Sequence, residues 1–194
     1  LNAKFLNLDG SDFKVSNDVI IKKFKSITGI EERRYAKDHH NTSDLAFFAA
    51  EKAIKDAALD QETIDYIIVA HNFGDIKSGT KQSDSLPSLA SRVKFNLGIK
   101  NPNCVCYDII FGCPGWIEGV IQAYAFIKAG MAKKCLVIGA ETLSRTYDVN
   151  DRDSMIYADG AGASIVELKS QIKNSGILSH KSCTFTDKEA FYLF

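Results

Sequence analysis

Two runs of apolar residues constrain the fold of this chain more than any other feature. They are Ile64 to Ala70 (IDYIIVA) and Cys135 to Ala140 (CLVIGA), each almost continuously apolar over the length of a short strand. Strands of this kind are buried on both faces, as in a parallel sheet that helices cover on either side. Helical segments separate the strands through short connections, so the sequence predicts an α/β domain with a mainly parallel sheet.

The remaining elements are predicted from periodicity and from capping residues. Apolar residues recur with a helical period from Leu45 to Ala57, after Ser43 as the N-cap. A second helix is expected over Ser88 to Leu97, ended by Gly98, and a short one after Ser16 or Asn17. Further strands are expected at Val105 to Phe111 and Ser164 to Leu168, with weaker candidates at Lys4 to Leu8 and Gly176 to His180.

Cys113 stands at the junction between a strand and a long apolar segment that ends at Gly130. Pro114 follows it, and proline is favoured at the first helical position because its missing amide proton would be unpaired there. This places Cys113 at or next to the N-cap, where the helix dipole favours a thiolate over a thiol. Cys113 is therefore the candidate nucleophile, although its position alone is also compatible with a structural cysteine. The helix that follows is apolar nearly all round, which predicts that it is buried.

The other reactive side chains point to no second site. Five cysteines are an odd number and form no disulfide framework. Cys104, Cys106 and Cys135 are interpreted as small core residues and not as metal ligands, so no metal site is expected. The histidines have no dyad spacing with Cys113 and are interpreted as surface or partly buried residues; they are His39, His40, His71 and His180. The glycines of Asp159 to Ala163 (DGAGA) are expected to allow a close backbone approach.

Charge and hydropathy exclude two classes of partner. The 24 basic and 24 acidic residues balance to a net charge of +0, whereas a nucleic-acid-binding chain needs a basic surface. The longest apolar runs are far shorter than the roughly 20 residues that cross a bilayer, and no basic-then-apolar leader is visible. The expectation is a cytoplasmic protein that binds neither nucleic acid nor membrane.

Six motifs, in this order along the chain, carry a resemblance to a known family. They are TGIEER (residues 28–33), LAFFAAEKAI, LPSLASRVKFNLGI, DIIFGCPGW around Cys113, KCLVIGAETLSR and DVNDRDSMIYADGAGASIV. From about Ser16 to Gly176 the chain resembles the N-terminal half of ketoacyl-acyl carrier protein synthase III, a condensing enzyme of the thiolase superfamily.

The resemblance implies a fold and an extent. The family has two similar α/β halves, each a mixed five-stranded sheet layered between helices. The chain is thus expected to be one N-terminal thiolase-like domain over residues 1–194, truncated and without its C-terminal half. The start at Leu1 and the apolar ending from Glu189 to Phe194 fit a shortened polypeptide.

The resemblance also implies a reaction. Cys113 takes an acyl group from a thioester, and the acyl-enzyme undergoes a decarboxylative Claisen condensation with malonyl-acyl carrier protein in fatty acid or related lipid or polyketide synthesis. A His and an Asn expected beyond Phe194 would promote decarboxylation, so the 194 residues alone should not condense substrates. No cofactor is permanently bound; CoA or acyl carrier protein thioesters are substrates, and acyl carrier protein and a second copy in a homodimer are the expected partners.

Individual roles follow from the same resemblance. The Cys113 amide forms part of the oxyanion hole, and Arg152 contacts the CoA nucleotide. Tyr157 lies near the acyl channel, and Leu86 reaches across the dimer into the partner's acyl pocket. Lys23 and Ile27 stand where the family has the Trp and Arg that sandwich the adenine, so the grip on CoA is expected to differ here.

Other functions stay open at this point. A hydroxymethylglutaryl-CoA synthase or a head-to-head acyl condenser would use the same cysteine. A non-catalytic thiolase-like subunit that pairs with an active homologue is the alternative from another class. The acyl chain, the primer, the pathway and the role of the loop from His71 to Leu86 cannot be read from the sequence.

Overall fold

The computed structural model describes residues 4–169 and 176–190. Its helices and strands lie in the following order along the chain: α1 (Asn17–Thr28), α2 (Thr42–Asp56), β1 (Tyr66–Ala70), β2 (Asp75–Ile76), β3 (Ser83–Asp84), α3 (Leu89–Leu97), β4 (Val105–Ile109), α4 (Gly115–Lys128), β5 (Lys134–Thr142) and β6 (Asp159–Glu167). No helix in the described part is long and apolar enough to cross a membrane.

The main sheet has the strand order β4-β1-β5-β6. Strand β1 is central and parallel to both neighbours, with Ala70 level with Ile109 on one side and Gly139 on the other. Strand β6 runs antiparallel to β5. The prediction of an α/β domain with a mixed sheet is confirmed, and β2 and β3 form a separate two-stranded hairpin.

Helices cover both faces of the sheet, as the unbroken apolar strands predict. Successive residues of a strand point to opposite faces. Ile67 and Val69 of β1 therefore join the core cluster with helices α2 and α3, while Ile68 and Ala70 join the cluster with α4. Because α4 is the helix that follows Cys113, its packing decides where the cysteine lies.

The sheet has four strands within the described residues, not the five that the resemblance implies. Lys4 to Leu8 forms only an isolated bridge between Leu6 and Asp12, and the Leu6 amide donates to the carbonyl of Asn150 at 2.9 Å. The segment therefore adds no strand to the main sheet. Gly176 to His180 forms no strand either.

One predicted cap is wrong and two are confirmed. Helix α2 begins at Thr42 after Asn41, because Asn41 and Asp44 form a capping box; Ser43 instead bonds to Asp75. Helix α1 has Ser16 as its N-cap and α3 ends at a left-handed Gly98, both as predicted. Ser88, expected as the first residue of α3, is its N-cap. The apolar end of the chain, residues 191–194, lies outside the described part.

Candidate active site

Cys113 lies in the turn that links β4 to α4. Gly112 has a φ of +71°, and the Gly115 amide donates to the Gly112 carbonyl at 3.0 Å. Pro114 is the N-cap of α4 and Gly115 its first residue, so Cys113 precedes the N-cap by one position. This agrees with the prediction that Cys113 lies at or next to the cap. Its side chain is exposed at the end of the helix where backbone amides point outward.

Small residues allow α4 to lie directly on the sheet. A Cβ at Gly115 would lie 3.0 Å from the Cβ of Ala70, and one at Gly139 would lie 3.2 Å from the Cβ of Trp116. The first turn of α4 is therefore in contact with β1 and β5, and this contact places the Cys113 turn at the carboxyl edge of the sheet. Ligands in open α/β sheets are commonly bound at this edge.

The expectation that α4 is buried on all sides is wrong in this structure. Its buried stripe consists of small or apolar residues at every fourth position, namely Gly115, Gly119, Ala123 and Ile127. Outside this stripe the helix is open to solvent, and Trp116 and Ile117 are 39% and 56% exposed. Two residues of the final segment contact this helix: Ser182 Oγ donates to Glu118 Oε2 at 2.7 Å, and the His180 ring meets Tyr124 edge-on.

A buried histidine lies at the same edge of the sheet, directly after β1. His71 Nε2 is 3.0 Å from Oδ2 of Asp108 on β4, and His71 Nδ1 accepts from the Gly74 amide at 3.0 Å. An Nδ1 that accepts requires the proton to be on Nε2, so Nε2 donates to the carboxylate. His71 is thus neither a surface residue nor a free base for Cys113, because both of its ring nitrogens are engaged.

The Asp108 carboxylate also caps helix α3. Its Oδ2 accepts from the Leu89 amide at 2.7 Å and its Oδ1 from the Ala90 amide at 2.9 Å. A carboxylate at a helix N-terminus is stabilised by the unpaired amides and by the helix dipole. This role of Asp108 was not predicted from the sequence. The only sequence signal for the pair is a polar residue at the end of each of two apolar strands, Asp108 in β4 and His71 after β1.

A second partly buried acid lies near the end of strand β5. Glu141 Oε2 accepts from the backbone amide of Asn72 at 2.8 Å and from its side-chain amide at 3.0 Å. Burial raises the pKa of Glu141, and the hydrogen bonds from Asn72 act in the opposite direction. The ends of β4, β1 and β5 thus present an acid, a histidine and an acid side by side.

Arg152 lines a cavity of about 330 Å³ together with Lys23 and Ile27. The cavity wall is mainly apolar, and the Arg152 guanidinium lies over the ring of Phe13 at 5.2 Å. The structure therefore brings together the three positions that the resemblance associates with the CoA nucleotide. It offers two cations and an apolar floor there, together with Asp153, whose Oδ1 is 3.5 Å from Arg152 Nε.

The other predicted residues do not line this cavity. Leu86 is 85% exposed on the segment before α3, where its carbonyl accepts from Arg92. Tyr157 is also exposed and stacks on Tyr147, with ring centroids 6.1 Å apart. Cys113 is absent from the lining as well. Gly160 and Gly162, expected to allow a close approach, have open space where a Cβ would lie.

No group of three or more potential metal ligands occurs among residues 4–169 and 176–190. Cys104 and Cys135 are buried in the two core clusters, as expected of core residues.

A family model described as 3-Oxoacyl-[acyl-carrier-protein (ACP)] synthase III matches residues 107–184. Two curated relatives carry the name Beta-ketoacyl-[acyl-carrier-protein] synthase III. That of Vibrio cholerae is 42% identical over 153 residues, which cover 78% of this chain and 44% of the relative. That of Neisseria gonorrhoeae is 41% identical over 161 residues, covering 79% and 48%. The chain is a homologue of the 3-oxoacyl-[acyl-carrier-protein] synthase III proteins.

Solved structures agree with this relationship. The synthase III of Aquifex aeolicus matches with a TM-score of 0.67 and 34% identity over 81% of this chain and 50% of that one. The synthase III of Thermus thermophilus matches with a TM-score of 0.62 and 38% identity over 74% and 42%. The chain spans about half the length of the relatives it matches. The resemblance carried by the six motifs is confirmed.

Proposed function

We propose that the chain is the nucleophile-bearing part of a condensing enzyme of the synthase III type. The observation that carries the proposal is the exposed Cys113 thiol in a strand–turn–helix junction at the carboxyl edge of the sheet. Relatives with 41–42% identity bear the synthase III name. The alternative of a non-catalytic subunit would leave this thiol without a role.

The proposed reaction has two stages. The Cys113 sulfur attacks the carbonyl carbon of an acyl thioester, and the carrier leaves as a thiol. The carboxylate of a malonyl thioester then leaves as carbon dioxide, and the resulting carbanion equivalent attacks the acyl–Cys113 carbonyl. The Cys113 sulfur is released, and the product is a 3-oxoacyl group on the second carrier.

The surroundings of Cys113 support the first stage. In this proposal the amide of Cys113 itself stabilises negative charge on the substrate carbonyl oxygen, and the positive end of the α4 dipole adds to this effect. His71 cannot accept the thiol proton, because its two ring nitrogens already bond to Asp108 and Gly74. His71 therefore has no part in the proposed proton transfer from Cys113.

We infer that CoA or acyl carrier protein delivers the acyl group. Arg152 and Lys23 at the rim of the 330 Å³ cavity provide positive charge for a phosphate, and the apolar wall provides contact area. No permanently bound cofactor is part of the proposal. Acyl carrier protein as a partner, a homodimer with Leu86 and Tyr157 near its acyl pocket, and a cytoplasmic location belong to the same proposal.

Intact-mass spectrometry after incubation with acyl-CoA tests the first stage. One acyl group should be added, and peptide mapping should locate it on Cys113. The Cys183→Ser variant, which removes the other exposed thiol, should be acylated normally, and Cys113→Ala should not be acylated. Equal acylation of the parent and of Cys113→Ala would refute the assignment.

A further inference from the structure

Two of the five cysteines are exposed, namely Cys113 before α4 and Cys183 in the segment that comprises residues 176–190. The other three are buried or partly buried. An exposed thiol can meet an oxidant, and a second thiol close by can then trap the oxidised sulfur as a disulfide. Whether Cys183 can do this for Cys113 depends on where its segment lies on α4.

Two contacts give the direction of this segment along α4. The His180 ring meets the Tyr124 ring edge-on, with centroids 5.7 Å apart. Ser182 Oγ donates to Glu118 Oε2 at 2.7 Å. Glu118 precedes Tyr124 by six positions on α4, which corresponds to about 9 Å along the helix axis. From His180 to Ser182 the segment therefore runs antiparallel to α4, towards the end of the helix that Cys113 precedes.

Cys183 is the next residue in this direction. Glu118 lies three positions after Gly115, the first residue of α4, and three positions span about 4.5 Å of helix. One further residue of extended chain advances by about 3.3 Å. These lengths place Cys183 beside the first turn of α4, the turn that follows Cys113. Residues 176–190 contain no helix or strand, so an approach of Cys183 to Cys113 breaks no backbone ladder.

We propose that Cys183 is a resolving thiol for Cys113, and that a hydroperoxide converts these two exposed thiols into an intramolecular disulfide. The disulfide occupies the sulfur of the proposed nucleophile, and a thiol reductant restores it. The inference goes beyond the proposed function, because it requires Cys113 to react with an oxidant and does not require acyl transfer.

The reaction has two steps. The Cys113 sulfur attacks one oxygen of hydrogen peroxide, the oxygen–oxygen bond breaks, and a sulfenic acid forms with release of water. The Cys183 sulfur then attacks the Cys113 sulfur, and the departing hydroxide takes the thiol proton and leaves as a second water. Two thiols are oxidised, and one peroxide is reduced to two waters. The chain loses two hydrogen atoms.

Peptide mapping of the oxidised chain tests the proposal. The reduced chain, at low micromolar concentration, is treated with hydrogen peroxide, and its mass is measured before the remaining thiols are alkylated. The monomer should lose about 2 Da, and one disulfide should join the peptides of Cys113 and Cys183. Dithiothreitol should restore both thiols. Because a disulfide forms only when the two Cα atoms come within about 7 Å, the linked peptides also report the position of the segment.

Cys183→Ser removes the resolving thiol and leaves the core untouched, because this side chain is exposed. In this variant Cys113 should proceed to the sulfinic acid, a gain of about 32 Da that dithiothreitol does not reverse. Cys106→Ser, which removes a partly buried thiol, is the control and should form the same disulfide as the parent.

Two substitutions of Glu118 test the placement of the segment. Glu118→Gln keeps an acceptor for the Ser182 hydroxyl, whereas Glu118→Ala removes it. The readout is the ratio of disulfide to sulfinic acid at Cys113 in excess peroxide. The ratio should fall by about threefold or more in Glu118→Ala, because a hydrogen bond contributes a factor of about two to ten. It should stay within about twofold of the parent in Glu118→Gln.

Several outcomes overturn the proposal. One is a disulfide that maps to Cys104 and Cys106 or that joins two chains. Another is a Cys183→Ser variant that is oxidised to the same product as the parent. Equal ratios in Glu118→Ala and Glu118→Gln overturn it as well. Because peroxide needs no thioester chemistry, the result remains informative even if Cys113 is never acylated by acyl-CoA.

Discussion

Gly119 of α4 and Val137 of β5 are so close that a Cβ on the glycine would lie 2.8 Å from Cγ1 of the valine. Val137 is fully buried, and its β-branched side chain has little freedom to turn away. The same Cβ would lie 3.5 Å from Ile68 on β1. Because Gly119 has no side chain, α4 can lie this close to the sheet. The position of Cys113, which precedes α4, depends on this packing.

Gly119→Ala is expected to destabilise the fold by about 1–3 kcal/mol, since overpacking forces side chains or the backbone to move. This loss outweighs the gain of about 1 kcal/mol that alanine brings to a helix. Urea unfolding followed by circular dichroism measures the difference. Gly160→Ala is the matched control, because open space surrounds that position, and it should leave the free energy of unfolding nearly unchanged. A Gly119→Ala protein as stable as the parent would contradict the packing described.

Asp75→Asn should be strongly destabilising. Asp75 is buried, and its carboxylate accepts from the Ser43 amide at 2.7 Å, the Ser43 hydroxyl at 2.6 Å and Arg92 at 2.7 Å. The neutral amide leaves Arg92 without its buried charge partner, a change that typically costs about 3–5 kcal/mol. Asp84→Asn removes the exposed partner of the same Arg92 and should have little effect. Equal losses of unfolding free energy in the two variants would count against the assigned role of Asp75.

Local patterns were sufficient to predict most elements of the fold. Strands β1 and β5 follow from unbroken apolar runs, and the end of α3 follows from Gly98. The cap of α2 was predicted wrongly because Ser43 and Asn41 are both good N-caps. Asp75, more than 30 residues away, binds Ser43 and leaves the cap to Asn41. Such a choice is made by tertiary contacts and is not visible in the local sequence.

The candidate site was likewise predicted only in part: Cys113 was identified from the sequence, and the His71–Asp108 pair was not. Cys113 was found because a glycine, a cysteine and a proline between a strand and a helix form a local signal. The bond between His71 and Asp108 depends on β4 lying beside β1, although the two strands are separated by a hairpin and by α3. The strand order is a property of the whole sheet, so neither residue stands out in the sequence. The exposed face of α4 was likewise unpredictable from an apolar segment alone.

Thiol labelling should divide the five cysteines into two classes. Cys113 and Cys183 are exposed and should react with iodoacetamide within minutes at pH 8. Burial raises the pKa of Cys135 to about 12, and the hydrogen bond to Cys104, with burial, raises the pKa of Cys106, so these thiols stay protonated. Cys104 is shielded by its burial in the core. Mass spectrometry should find two labels on the native chain and five after unfolding in urea. Rapid native labelling of Cys135 would contradict the described core.

Arg152→Ala should weaken the binding of CoA by about tenfold, because a hydrogen bond to a charged group contributes about 1.5–3 kcal/mol. Calorimetric titration with CoA at low salt measures this effect. Arg34→Ala, which removes one positive charge outside the cavity lining, is the control and should bind CoA as the parent does. If both variants lose affinity equally, the effect is a general one of charge, and the cavity is not the nucleotide site.

Glu141→Gln should make the chain more stable at pH 7. Burial raises the pKa of Glu141 above 4.5 in the folded state, so the folded protein holds this proton more tightly than the unfolded one. Stability from this group is therefore fully present below pH 4.5 and is lost as the pH rises through the folded-state pKa. Glutamine cannot ionise, and its side-chain oxygen can still accept from both Asn72 groups. The free energy of unfolding of Glu141→Gln should exceed that of the parent at pH 7, and the two should converge as the pH falls towards 4.

The control Glu51→Gln removes a carboxylate from the exposed face of α2 and should not reproduce this convergence. If Glu141→Gln is less stable than the parent at pH 7, the Glu141 carboxylate makes a favourable charged interaction that its bonds to Asn72 do not account for.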